Sequence, residues 1–346
     1  MDEVIVQNSK MSDEIAEIPG AVQRLLASGH ADIRAAAADV IRLDPRLIAT
    51  VARGSSDHAA TYFKYAAELT LGLPVASIGP SIASIYGVQL RMAQALCLSI
   101  SQSGQSPDIV EMARSARAGG ALGFAVTNNV QSPLSAVSDR TLDIQAGPEL
   151  SVAATKTFVS SAVVLLSLLA EIKADKALGR ASEELPETFE KARQVDWADL
   201  RSALVGARSL FTLGRGPTYA ISGEAALKFK EVSQIHAESY SSAEVLHGPV
   251  SIVGSGFPVL VLAAGDAAEP TVAAIADATA EKGAHVFATS DLVTQARKLP
   301  FARTTHGLTD PLSLIVTFYA NLERFAREAG IDPDKPRHLH KVTKTT

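Results

Sequence analysis

The chain has 346 residues, of which 47% are hydrophobic and 20% charged, enough to bury a large core over more than one domain. Its formal net charge is −5 and its basic residues are scattered, which argues against a nucleic-acid-binding protein. A single cysteine, Cys97, excludes a disulfide framework within the chain and a cysteine-rich metal site.

The amino-terminal sequence is polar and acidic, without the apolar core of a signal peptide. The longest apolar stretch, residues 158–172, is too short for a membrane span and contains serines, so we predict a buried helix there. We therefore expect a cytoplasmic protein that associates with neither membranes nor nucleic acid.

Short apolar runs alternate with helical patterns along the first half of the chain. Two helical segments come first, at residues 11–27 and 31–43, and a further helical pattern covers residues 106–120. The predicted strands fall within residues 47–52, 73–81, 94–104, 121–129 and 140–147. This alternation is typical of a parallel sheet that is covered by helices on both faces.

The pattern starts again after a charged helical connector at residues 173–204. Residues 208–235 are predicted to form a strand, a glycine turn and an alanine-rich helix. The later predicted elements are strands at 257–265 and 284–290 and helices at 270–283 and 310–330. Residues 49–63 and 211–225 both place Arg-Gly between a strand and an alanine-rich helix, which indicates an internal repeat of two similar α/β domains.

A serine-rich loop, residues 101–106, separates a predicted strand from a predicted helix. Ser106 suits the N-cap of that helix, Pro107 its first position and Asp108 its first turn. Because a helix N-terminus carries free N–H groups, serine hydroxyls beside it favour a phosphate-binding site, and Gly104 would let the backbone approach the ligand. The alternative is a well-capped turn without a ligand.

A second loop, residues 53–56, also joins a predicted strand to a predicted helix. In a parallel sheet such loops meet at the carboxyl ends of the strands, where ligands bind. This shared position favours the binding interpretation of the serine-rich loop over that of a plain turn.

Glu224, Lys228 and Glu231 are spaced so that all three fall on one face of a predicted helix. A surface ion pair worth about 0.3–0.5 kcal/mol is the ordinary explanation of such spacing. The other faces of this helix are apolar, however, which predicts that the helix is buried. A buried carboxylate beside a lysine is a candidate for acid–base chemistry with a shifted pKa.

His247 precedes Gly-Pro in a predicted turn, where an isolated histidine is more often structural or exposed than catalytic. The histidines show no spacing typical of metal ligands, so we expect no metal ion.

Six motifs in order resemble the isomerase half of glucosamine-6-phosphate synthase, which consists of two sugar-isomerase (SIS) domains. They are MSDEIAEIPGAV (11–22), ARGSSDHA (52–59), SQSGQSPD (101–108), ELSVAATKTF (149–158), the segment 214–249 and DKPRHLHK (334–341). The resemblance implies two α/β SIS domains, each a parallel sheet with helices on both faces, a three-layer αβα sandwich. The expected parts are an N-terminal helical segment (1–34), SIS domain 1 (35–175), a helical connector (176–199), SIS domain 2 (200–330) and a tail that completes the active site (331–346).

The resemblance also implies roles for individual residues. Glu231 matches the base that moves a proton between sugar carbons 1 and 2, and His247 matches a ring-opening histidine that reaches the neighbouring subunit's pocket. Lys341 matches a lysine that forms an imine with the open-chain ketose, and Lys228 and Glu224 match supporting residues. The matching substrate-binding residues are Ser55, Ser56, Ser101, Gln102, Ser103, Ser106 and Val152.

The sequence also departs from the family. The resemblance covers only the isomerase half, and we expect no glutamine hydrolysis from these residues because none matches the family's glutaminase domain. Gln105 stands where the family often has Glu, and Ala154 where it often has Ser. These two differences bear on substrate choice more than on reaction type.

An isomerase half without an ammonia source suits the degradative direction. We therefore expect an amino-sugar-phosphate deaminase/isomerase that converts glucosamine 6-phosphate, or a close hexosamine phosphate, to fructose 6-phosphate and ammonia. The alternatives are an aldose–ketose phosphosugar isomerase, a fructosyl-amine-phosphate deglycase, and a sugar-phosphate sensor without turnover. No cofactor is expected, and the resemblance implies a homodimer with shared active sites.

Overall fold

A computed structural model describes residues 8–339 and residue 341. The first half contains α1 (Lys10–Ser28), α2 (His30–Leu43), β1 (Leu47–Val51), α3 (Ser55–Leu71), β2 (Val75–Ser77), α4 (Ser81–Ser84), β3 (Ala95–Ile100), α5 (Pro107–Ala118), β4 (Leu122–Thr127), α6 (Pro133–Val137), β5 (Arg140–Asp143) and α7 (Lys156–Lys173). Then follow α8 (Lys176–Glu183), α9 (Leu185–Ala192), α10 (Ala198–Leu204), β6 (Ser209–Gly214), α11 (Pro217–Lys228), a π-helical turn (Phe229–Ser233), β7 (His236–Ser241), two 3₁₀ turns (Glu244–His247 and Pro249–Ile252), β8 (Pro258–Val261), α12 (Glu269–Ala280), β9 (His285–Ala288), β10 (Arg297–Lys298) and α13 (Asp310–Glu328).

The described residues form two parallel sheets of five strands each, flanked by helices, which confirms the predicted α/β fold class. The strand order is β2-β1-β3-β4-β5 in the first sheet and β10-β9-β8-β6-β7 in the second. Numbered within its own half, each sheet therefore has the same order, 2-1-3-4-5. The internal repeat that the sequence indicates is therefore seen in the structure as the same strand order in both halves.

The strand order locates the point where a ligand is expected. Between the parallel strands β1 and β3 the strand order changes direction, because β2 is added on one side of β1 and β3 on the other. In doubly wound sheets ligands bind outside the carboxyl ends of the strands at such a point. Val51 at the end of β1 lies opposite Ser99 near the end of β3. The loops at residues 53–56 and 101–106 therefore leave the sheet side by side.

The core is centred on α7, which is buried along most of its length, as predicted for residues 158–172. A helix that is apolar all round must be covered on every side, and α7 packs against α1, α2 and α3. No helix within residues 8–339 is long and apolar enough to cross a membrane.

The two halves meet through α3 and α11, which run in opposite directions. Lys228 lies beside Ser55, and the Tyr65 and Tyr219 rings meet edge to face with centroids 6.4 Å apart. Gly223 allows the His58 ring to lie against α11, since a Cβ at Gly223 would be 2.8 Å from the imidazole. This packing brings the beginning of α3 to the end of α11.

The structure corrects the predicted elements in the second half. The helix expected to continue through residue 235 ends at Lys228 and is followed by the π-helical turn. Strand β7 was not predicted, because it is a partly exposed edge strand of mainly polar residues that pairs only with β6. The two-residue strand β10 was also missed.

Candidate active site

The serine-rich loop is held in shape by its own polar groups. The backbone N–H of Gly104 donates to the carbonyl and to the hydroxyl of Ser101, each at 3.2 Å. The carbonyl of Gln102 accepts from the Thr127 hydroxyl at 3.1 Å, and the Ser103 hydroxyl accepts from the Gln105 N–H at 3.3 Å. The loop is therefore a preformed structure with several hydroxyl groups.

Gly104 also has a packing role in this loop. Its φ is +62°, and a Cβ there would be 2.2 Å from the hydroxyl oxygen of Ser132. Glycine is required because this residue is buried against a neighbouring loop. Packing within the protein is therefore sufficient to require glycine at this position.

Ser106 occupies the predicted N-cap position, and α5 begins at Pro107 as expected. The Ser106 side chain, however, makes no capping hydrogen bond. Its hydroxyl is therefore available to an anion, whereas the Ile109 N–H in the first turn donates to the Asp108 carboxylate at 2.9 Å.

Asp108 and Arg53 connect the two loops. The Asp108 carboxylate is buried in the first turn of α5 and forms an ion pair with the Arg53 guanidinium, which follows β1. This pair fixes the loop that carries Ser55 and Ser56 beside the serine-rich loop. Sequence analysis did not identify this pair, because the two residues are 55 positions apart.

The structure brings Glu224, Lys228 and Glu231 together. The Lys228 Nζ lies 2.6 Å from an oxygen of Glu231, 3.3 Å from an oxygen of Glu224 and 2.9 Å from the Ser55 hydroxyl. Glu224 and Lys228 are completely buried, whereas the Glu231 side chain is 21% exposed. The π-helical turn carries Glu231, and such turns are frequent at functional sites.

Burial and charge act in opposite directions on this cluster. Burial raises the pKa of Glu224 to about 7, although the nearby Lys228 ammonium opposes that rise. Burial lowers the pKa of Lys228, but the charges of Glu224 and Glu231 outweigh burial and leave that pKa above its ordinary value. The cluster therefore holds a fixed ammonium group beside a carboxyl group that can exchange its proton near neutral pH.

Tyr319 of α13 is a further member of the cluster that the sequence did not reveal. Its buried hydroxyl donates to Glu224 Oε1 at 2.9 Å. Burial raises the pKa of Tyr319 well above its usual value, so the hydroxyl keeps its proton. No local signal could identify this residue, since its side chain lies among the apolar residues of an amphipathic helix.

Lys341 approaches the site from the C-terminal tail. Its Nζ is 3.0 Å from Glu149 Oε2, and its side chain is 24% exposed rather than buried. Glu149 was missed as a site residue, although it lies in the same motif as Val152, which is half-buried in the loop before α7. That shared motif is the signal that could have identified Glu149.

His247 is exposed in its 3₁₀ turn, and the next residue, Gly248, has a φ of +137°. Among residues 8–339 and 341, no hydrogen bond or ion pair joins His247 to the cluster of Glu224, Lys228 and Glu231. In the same residues, no group of three His, Cys, Asp or Glu side chains could hold a metal ion.

A family model described as the SIS domain matches residues 43–171 and 203–299. The chain belongs to the SIS domain family, as the sequence motifs predict.

Within that family, the chain is similar to the isomerase part of a larger enzyme. The glutamine–fructose-6-phosphate aminotransferase (isomerizing) of Aeropyrum pernix is 36% identical over 314 residues, covering 84% of this chain and 50% of the relative. The corresponding protein of Thermococcus kodakarensis is 33% identical, covering 96% of this chain and 57% of the relative. This chain therefore spans about half the length of these curated relatives.

Solved structures show the same similarity. A proposed phosphosugar isomerase from Silicibacter pomeroyi DSS-3 is 61% identical with a TM-score of 0.92, covering 94% of this chain and 100% of the other. The C-terminal domain of glucosamine-fructose-6-phosphate aminotransferase from Francisella tularensis is 25% identical with a TM-score of 0.83. The match covers 96% of this chain and 100% of that domain.

Proposed function

We propose that the protein is an amino-sugar-phosphate deaminase/isomerase that converts glucosamine 6-phosphate, or a close hexosamine phosphate, to fructose 6-phosphate and ammonia. The observation that carries this proposal is the buried Lys228 ammonium, 2.6 Å from Glu231 and 3.3 Å from Glu224, at the end of the helix that meets Ser55. The names of its relatives, which refer to fructose 6-phosphate and to phosphosugar isomerases, support the substrate class.

The substrate phosphate would bind at the serine-rich loop. The hydroxyls of Ser101, Ser103 and Ser106 would donate hydrogen bonds there, and the N-terminal end of α5 would contribute partial positive charge. The open-chain sugar would extend past Ser55 and Ser56 toward Glu231. His247 of a neighbouring subunit would assist ring opening in a homodimer.

Glu231 would then transfer a proton from carbon 2 to carbon 1. In this step carbon 2 loses hydrogen and becomes an imine carbon as its amino nitrogen gives up one proton. Carbon 1 gains hydrogen, and its aldehyde oxygen takes up a proton to become an alcohol. Water adds to the imine carbon and ammonia leaves, giving fructose 6-phosphate. The Lys228 ammonium lies 2.6 Å from the Glu231 carboxyl group that would act as this base.

Lys341 would hold the open-chain ketose as an imine. Its neutral amine attacks carbon 2 of the ketone, a C=N bond forms and water leaves.

The direct test measures ammonia and fructose 6-phosphate formed from glucosamine 6-phosphate, with galactosamine 6-phosphate assayed beside it. Glu231→Gln should lower turnover by about 100-fold or more, since it removes a general base. The control is Glu187→Gln, which breaks an exposed Glu–Lys pair on α9 and should leave turnover unchanged. Unchanged turnover in Glu231→Gln would defeat this mechanism.

Product analysis also separates the alternatives. A phosphosugar isomerase would interconvert aldose and ketose phosphates without releasing ammonia, and a deglycase would require a fructosyl-amine phosphate. A sensor would bind these compounds and convert none of them.

A further inference from the structure

Glu149 joins two distant parts of the chain through its two carboxylate oxygens. Oε1 accepts hydrogen bonds from the N–H groups of Thr155 and Thr157 at 3.0 and 3.1 Å, at the beginning of α7. Oε2 accepts from the Thr157 hydroxyl at 2.6 Å and from Lys341 Nζ at 3.0 Å. Its side chain is completely buried.

The ammonium group is not needed to satisfy this carboxylate. Three donors from the first turn of α7 already compensate the buried charge, and a partly exposed lysine could be solvated by water instead. The contact between Glu149 and Lys341 therefore matters mainly for the position of the lysine. It fixes the Nζ of a tail residue, 192 positions away, beside the loop that carries Val152.

We propose that Glu149 is a positioning residue that holds the Lys341 side chain at the site before the sugar phosphate binds. The catalytic importance of this positioning rests on the proposed function, in which Lys341 forms an imine with the ketose. The position of Lys341 itself does not depend on that function and can be measured without substrate.

The chain offers a matched control for Glu149 in Glu14 of α1. The Glu14 carboxylate is also buried and also accepts backbone hydrogen bonds from the loop before α7, from Leu150 and Ser151. Glu149→Gln keeps an oxygen acceptor for the start of α7 and removes the charge beside Lys341. Glu14→Gln makes the same chemical change on the same loop and leaves both members of the Glu149–Lys341 pair in place.

The first measurement is reductive methylation of lysine amines without substrate, with the rate at Lys341 compared by mass spectrometry with the exposed Lys282. In Glu149→Gln, Lys341 should react roughly fivefold faster, which corresponds to loss of a hydrogen bond worth about 1 kcal/mol. In Glu14→Gln, Lys341 should be methylated at the same rate as in the wild-type protein. Equal rates in all three proteins would overturn the inference, whatever the enzyme activity.

A wild-type measurement covers the case in which Glu149→Gln does not fold. Because salt screens a partly exposed ion pair, raising the ionic strength should speed methylation of Lys341 relative to Lys282. A ratio that does not change with salt would contradict the proposed contact.

The second measurement traps the imine with fructose 6-phosphate and cyanoborohydride. The reduced adduct at Lys341 should form more slowly in Glu149→Gln than in Glu14→Gln or the wild-type protein. Equal trapping in all three would defeat the positioning role and leave the proposed function intact. No adduct in the wild-type protein, together with faster methylation in Glu149→Gln, would refute the imine role of Lys341 and support the positioning role.

Discussion

At the scale of single residues, the proposed site contains two lysines, each of which lies beside carboxylates. Lys228 is buried between Glu224 and Glu231, and Lys341 is partly exposed beside Glu149. Burial raises the pKa of Glu224 to about 7, so this carboxyl group depends on its neighbours for a defined charge and position. The Tyr319 hydroxyl supports it by donating a hydrogen bond to Oε1 at 2.9 Å.

Tyr319→Phe removes that hydroxyl alone, and Tyr62→Phe is its matched control. The Tyr62 hydroxyl is equally buried but donates to the backbone carbonyl of Leu308, outside the acid–base cluster. Both variants should lose about 1 kcal/mol of unfolding free energy, measured by denaturant titration, because each loses one buried hydrogen bond. Only Tyr319→Phe should lower kcat at unchanged KM; equal kcat values in the two variants would show that Tyr319 is purely structural.

At the scale of elements, α5 begins without the side-chain cap that its sequence predicts. The Ser106 hydroxyl is at the N-cap position but makes no capping bond, whereas the Asp175 carboxylate at the start of α8 accepts from the N–H groups of Ala177 and Leu178 at 3.0 Å. The two caps therefore have different consequences. The Asp175 cap contributes to stability, whereas the Ser106 hydroxyl binds the phosphate in the proposed function.

Ser106→Ala should change the unfolding free energy by less than about 0.5 kcal/mol and weaken hexose-phosphate binding about tenfold, since it removes a hydrogen bond to a charged group. Asp175→Ala should cost about 1 kcal/mol of stability with unchanged binding. Thermal unfolding and isothermal titration of both variants test this contrast. A destabilised Ser106→Ala with normal affinity would favour the plain capped turn.

At the scale of the whole molecule, the two sheets share a strand order but differ at the point where that order reverses. In the second sheet, Asp310 accepts from the N–H groups of Gly265 and Thr304, each at 2.8 Å. Arg303 forms ion pairs with Asp310 and Glu269 at the same place. In the loop after β8, which corresponds in strand order to the serine-rich loop after β3, the Gly265 N–H is thus already bonded to Asp310 rather than to a ligand.

We therefore expect one hexose phosphate per chain. Calorimetric titration should give a stoichiometry of one, and Ser101→Ala combined with Ser103→Ala should remove that single binding event. Residual binding of a second equivalent in this double variant would show that the second sheet has a site of its own.

Local sequence was sufficient to predict β1, β3, α5 and α7, because apolar periodicity and helix-starting residues act over a few positions. The predicted parallel sheet then implied that the serine-rich loop and residues 53–56 lie at one edge. The spacing of Glu224, Lys228 and Glu231 also predicted their proximity, although the helix changes to a π-helical turn between them.

Tertiary structure alone decided the rest. Pairing with β6 makes residues 236–241 an edge strand, since their own sequence favours no strand strongly. The hydrogen bond from Tyr319 to Glu224 spans 95 positions, and that from Lys341 to Glu149 spans 192. Contacts over such distances leave no periodic signal in the chain, because folding, rather than local spacing, brings the two partners together.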